Sequence, residues 1–112
     1  MKKLTVFVND QVVYEYERGR TFDDRQLEFL DKMDSDMARG IKIQGELIAR
    51  PDSKQRATFV AMNLVKALQQ EDEAKIAVSC AYLSQRQPQL IEVHANDHEQ
   101  KVNIELVEEQ LN

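Results

Sequence analysis

A chain of 112 residues, 42% hydrophobic and 31% charged, has the size and balance of one globular domain with a single modest core, which argues against wholesale disorder. Its net charge of −5 disfavours direct nucleic-acid binding, since phosphate neutralisation needs lysine and arginine gathered on one face. A single cysteine, Cys80, leaves no internal disulfide and, beside Val78, Ala81 and Leu83, reads as a buried apolar residue in a reducing compartment.

Behind Met1-Lys2-Lys3 the apolar run over residues 4–8 stops at Asn9-Asp10, too short for the core of a signal peptide, and no run approaches transmembrane length. The expected location is cytoplasmic, with no membrane partner. Leu4, Val6 and Val8 alternate with less apolar positions, and after Asn9-Asp10-Gln11 the alternation resumes at Val12, Tyr14 and Tyr16, which predicts a β-hairpin. A three-residue loop puts Val8 opposite Val12, Val6 opposite Tyr14 and Leu4 opposite Tyr16, making one face uniformly apolar. A two-residue loop pairs Leu4 with Glu15, so the longer loop is preferred.

Thr21, with Asp24 three residues on, offers a helix start. The apolar stripe Leu27, Leu30, Met33, Met37, Ile41 and Ile48 keeps helical phase through Gly40 and Gly45, which favours one helix reaching Arg50, with room for a bend near Gly40, over two helices joined at Gly40. Asp52 with Gln55 forms a second capping-box signal, and Ala57, Val60, Ala61, Leu64, Val65 and Leu68 supply the broad apolar face of a second helix. A third runs from Glu73 to Arg86, before Pro88. Residues 90–93 and 102–106 alternate around Asn96-Asp97, predicting a second hairpin that pairs Ile91 with Ile104 and Val93 with Val102. One sheet face is then expected to bury Val6, Val8, Tyr14, Ile91, Val93, Val102 and Ile104. Residues 1–112 thus read as a single α+β domain: a hairpin at each end, three helices between, and an antiparallel sheet covered by helices on one face.

The first helix holds a physical oddity. Asp34 falls inside its apolar stripe, and a carboxylate aimed at a core needs a partner. With a continuous helix turning back at Pro51, Asp34 faces the neighbourhood of Leu68 and Arg56 faces Glu46. Arg56 reaches Asp34 only if the chain reverses near Gly40; Lys66, Asn63 or a polar group of the third helix are the other candidates.

The residues of each familiar chemistry are present only in part. Asp31 and Asp34 share one helix side, which on most helices is a solvated edge rather than an acid/base pair. An EF-hand frame fails, because its sixth and twelfth places hold Asp36 and Lys42 counted from Asp31, or Arg39 and Gly45 counted from Asp34. His94 and His98 bracket the expected second turn and are weak metal candidates, with Asp97 and Glu99 nearby, though two imidazoles fall short of a zinc site. Cys80 has no histidine on its helix, and there is no phosphate-binding glycine loop. No catalytic residue and no cofactor is expected.

What stands out is charge. Between Asp23 and Asp36 six acids face two bases, Arg25 and Lys32. The expectation is a non-enzymatic protein-interaction or regulatory module that meets a protein partner, basic in character, through Asp24, Glu28, Asp31 and Asp34, with a homodimer as a further option. The alternatives are a DNA mimic or inhibitor occupying a basic nucleic-acid-binding site, opposed by Lys32, Arg39, Lys42 and Arg50 interrupting the acids, and a small enzyme or metal-binding protein.

Overall fold

Alternating apolar residues at both ends of the chain do form hairpins, and the two join into one sheet. The computed structural model describes residues 3–19, 21–99 and 101–109. In chain order the elements are β1 (Lys3–Val8), β2 (Gln11–Glu17), α1 (Asp24–Met37), β3 (Ile41–Ile43), β4 (Glu46–Ile48), α2 (Ser53–Gln69), α3 (Glu73–Arg86), β5 (Leu90–His98) and β6 (Lys101–Glu108). The α+β class and the terminal hairpins are as the sequence predicts. The sheet is mixed rather than purely antiparallel: its order is β2-β1-β5-β6, and the central β1 and β5 run parallel. Asn9 fastens this junction, its N–H donating to Ala95 O at 2.8 Å and its side-chain oxygen accepting from Asp97 N at 2.9 Å.

The first hairpin combines the two registers weighed from sequence. Its turn is the two-residue Asn9-Asp10, both at positive φ (50° and 68°), so Val8 lies opposite Gln11 and Phe7 opposite Val12. An irregularity beyond Phe7 absorbs one residue of β2, and Val6 then faces Tyr14 and Leu4 faces Tyr16 as expected. The second hairpin departs further. Ala95 pairs with Ile104 and Val93 with Leu106, so the turn lies beyond His98 and not at Asn96-Asp97. A register shift at Ile91 lets both Leu90 and Val93 enter the core, while Ile91, Val8, Tyr14, Val102 and Ile104 are only half-buried.

Two expectations about the first helix are overturned. Its cap is Asp23, not Thr21: Gln26 N donates to Asp23 Oδ1 (2.8 Å) and the longer Gln26 side chain reaches back to Asp23 N (2.9 Å), which completes a capping box. It also ends at Met37. Gly40 then takes φ +116°, which side-chain-bearing residues rarely adopt, and the next residues form a second, two-stranded sheet, β3 paired with β4 through a Gln44-Gly45 turn with both φ positive. Ile41 and Ile48 are seven residues apart, in helical phase, yet they are also cross-strand partners. One sequence pattern satisfied both geometries, and the β-branched residues with a glycine turn decided it. Gln44 Nε2 fixes this small hairpin to β6 by donating to Val102 O (2.9 Å) and Asn103 Oδ1 (2.8 Å).

The Asp52–Gln55 capping box of α2 is present as predicted. Val60, Ala61, Leu64 and Val65 are at most 2% exposed, so α2 is the central helix, packed on α3, β3, β5 and β6. Small residues let α2 and α3 approach closely, whereas the backbone of α1 stands farther off and reaches the core through Leu30 and Met37. Leu4, Val6, Tyr16, Leu90, Val93 and Ala95 complete the core from the sheet. The opposite sheet face is open: there Phe7 and His94 stack with ring centroids 4.3 Å apart.

Candidate functional site

Reversal of the chain at Gly40 brings the start of α2 back beside α1, and the end of α3 arrives at the same place. Asp34, on the packed side of α1, meets three side chains there. Tyr82 of α3, 2% exposed, donates its hydroxyl to Asp34 Oδ1. Arg86, one helical turn on, donates from Nε to Asp34 Oδ2 at 3.0 Å and from a terminal nitrogen to Asp31 Oδ1 at 2.5 Å. Arg56 of α2 places Nε 3.4 Å from Asp34 Oδ1, near enough for attraction; this N–H is shielded from solvent and makes no hydrogen bond among the described residues. The same guanidinium donates to Pro51 O at 3.1 Å.

Two carboxylates and two guanidiniums sum to zero charge, and Asp34, Arg56 and Arg86 retain roughly a quarter of their side-chain exposure (26–28%). Partial hydration moderates both the desolvation of these ions and their attraction. Burial pushes the Tyr82 hydroxyl up to about 12, and the hydrogen bond and charge of Asp34 reinforce the rise against the opposing Arg56. Tyr82 is therefore a donor at neutral pH, and both Asp34 oxygens are engaged. Chemically the cluster is a tether holding α1 against α2 and α3, with its donors and acceptors turned on one another.

Of the residues singled out from sequence, Asp24, Glu28 and Asp31 lie exposed along one flank of α1, within about 60° of one another at 100° per residue. Asp34 is turned away from them into the tether. Arg56 is one of its partners because the condition attached to it, a reversal near Gly40, is met. Tyr82 and Arg86 are the polar groups of the third helix that the sequence offers without singling them out, whereas neither Lys66 nor Asn63 bonds to Asp34 among the described residues. The four-residue spacing of the pair on α3, which sets both on one helix side, is the signal that could have identified them.

His94 and His98 do not flank a turn. Both lie on β5, four residues apart, so their backbones are separated by about 13 Å at strand rise. His94 Nε2 lies 2.8 Å from Glu92 Oε1, and the ring is stacked on Phe7. Among the described residues no group of three or more His, Cys, Asp or Glu is placed to hold a metal ion. Cys80 is free and fully buried, and burial pushes its thiol up to about 12, away from the reactive thiolate. No helix of the described residues is long and apolar enough to cross a membrane.

Comparison of the chain with protein-family models, with curated proteins and with solved structures found no match. Fold and site geometry are therefore the grounds for a functional reading.

Proposed function

We propose that this protein is a non-enzymatic, cytoplasmic interaction module that meets a basic protein partner through the acidic flank of α1. The observation that carries this reading is the contrast between two sets of acids on one helix. Asp34 is consumed by the tether, whereas Asp24 and Glu28 are exposed with no ion-pair partner among the described residues, and Asp31 shares Arg86 while its side chain stays 74% exposed. A helix fixed from its inner side presents carboxylates in constant orientation, which raises encounter rate and selects opposite charge. The DNA-mimic reading is weaker, because Arg25 and Lys32 sit on the outer surface among these acids.

The test compares wild-type protein with the double reversal Asp24→Lys, Glu28→Lys as bait for cell lysate. The expected result is retention of basic proteins by wild type at about 50 mM salt, their loss near 1 M, where the Debye length is about 3 Å, and their loss from the variant at either salt. Thermal unfolding of the variant should lie within a few degrees of wild type, since both sites are exposed and the reversal at Asp24, in the first turn of α1, costs only about 0.3–1 kcal/mol through the helix dipole. Equal retention by the two baits overturns the reading.

A further inference from the structure

Two grooves lie along α2, and Lys66 lines both. One, of about 400 Å³, runs between α1 and the α2–α3 pair; Phe29, Met33, Ala67 and Val78 give it an apolar lining and Lys66 and Lys75 border it. The other, of about 390 Å³, lies between α2 and the β6 side and is lined by Gln44, Met62, Lys66, Lys101 and Val102. Among the described residues no aspartate or glutamate lines either groove, although the chain has 20 acids against 15 bases. Lys66 and Lys101 are exposed and form no ion pair among the described residues, and Lys75 only approaches Asp72 at 3.9 Å. Beside them Phe29 is 52% exposed, an unusual place for a phenylalanine.

The residues of α2 and its C-cap that line the grooves, from Met62 to Gln70, cover about 12 Å, or a little over two helical turns. Apolar lining, lysines at intervals along it and this length together match one occupant. We propose that the paired grooves bind an acidic amphipathic helix of a partner protein, its apolar stripe against Phe29, Met33 and Met62 and its carboxylates on Lys66, Lys75 and Lys101. Such a helix reads its groove through anchors at every third and fourth position. An anionic membrane is disfavoured by the net charge of −5, which opposes approach to a negative surface, and by the concavity of the site. The surface is also distinct from the acidic flank of α1, since Phe29 projects about 140° around the helix from Asp24.

The probe is a fluorescein-labelled peptide of about 15 residues, long enough to be marginally helical alone, with leucines at i, i+3, i+4 and i+7 and glutamates on both flanks. Fluorescence anisotropy at low salt should report saturable binding. The exposed double variant Lys66→Glu, Lys101→Glu should weaken it at least about tenfold and flatten its salt dependence; Phe29→Ala should weaken it while leaving the salt dependence intact. A control peptide with lysine replacing glutamate should not compete. Equal affinity of wild type and the lysine variant, or binding to phosphatidylserine vesicles without binding to the peptide, overturns the proposal. Circular dichroism of each variant checks that the fold is intact.

Discussion

Tyr82 and Asp34, 48 residues apart in the chain, are joined by a hydrogen bond from the tyrosine hydroxyl to the carboxylate, which ties α1 to α3. Because Tyr82 is buried and its acceptor is charged, Tyr82→Phe is expected to lower unfolding free energy by about 1–3 kcal/mol in urea titrations. Asp34→Ala should lose more than Asp34→Asn, which keeps an acceptor oxygen while surrendering the charge shared with Arg86 and Arg56. A loss below about 0.5 kcal/mol for Tyr82→Phe, the range of ordinary surface sites, would show that the tether contributes nothing to stability.

Alkaline pH should weaken the fold through two buried groups. The Tyr82 hydroxyl rises from 10.0 to about 12 and the Cys80 thiol from 9.0 to about 12. Both folded values lie above the unfolded ones, so the folded state binds more protons in this window. Stability is then full below pH 9 and is lost as pH rises toward 12. Urea midpoints measured from pH 8 to pH 11 should fall, and tyrosinate absorbance should contain a late-titrating component that is absent from Tyr82→Phe.

Leu64 is fully buried in the centre of α2. Leu64→Ala should cost about 2–5 kcal/mol by denaturant titration, with the cavity adding to the lost transfer energy. An effect under about 0.5 kcal/mol would remove α2 from its central place.

Glu71 closes α2 in the left-handed region, φ 55°, with Asp72 N donating to Ala67 O (2.9 Å) and Glu71 N to Leu68 O (3.3 Å). This is the bonding of a Schellman motif, a position that glycine adopts without the clash of a side chain. Glu71→Gly should therefore raise the urea midpoint, by a stability gain of up to about 1 kcal/mol, after the entropy that glycine adds to the unfolded chain is subtracted. A fall in midpoint refutes this.

Patterns confined to one element were legible from the residues. The Asp52 cap, the apolar face of α2 and the limits of α3 before Pro88 follow from periodicity and capping chemistry alone, whereas the Leu4–Tyr16 pairing agrees with the alternation only because an irregularity beyond Phe7 makes up for a turn one residue shorter than the sequence suggests. Where two geometries share a pattern, periodicity was silent: Ile41 and Ile48, seven residues apart, suit one face of a long helix or a pair across a hairpin, and the positive φ of Gly40 and of the Gln44-Gly45 turn goes with the hairpin. That single error hid the site, because a continuous helix carries Arg56 away from Asp34. The parallel pairing of β1 with β5 was equally invisible, since it depends on how the intervening helices pack and on no residue within either strand.

That parallel pairing also sets a timetable. During synthesis β1 and β2 can zip together early, but the inner edge of β1 has no strand to bond until residues 90–98 are made. Until then the nascent hairpin carries the apolar side chains of Leu4 and Val6 beside unpaired backbone groups, a template for association with other chains. Closure must join Asn9 to Ala95 across most of the chain, a non-local contact whose loop-closure entropy is given up before the bond can offset it. Premature termination before β5 would then yield an aggregation-prone fragment and not a smaller folded domain.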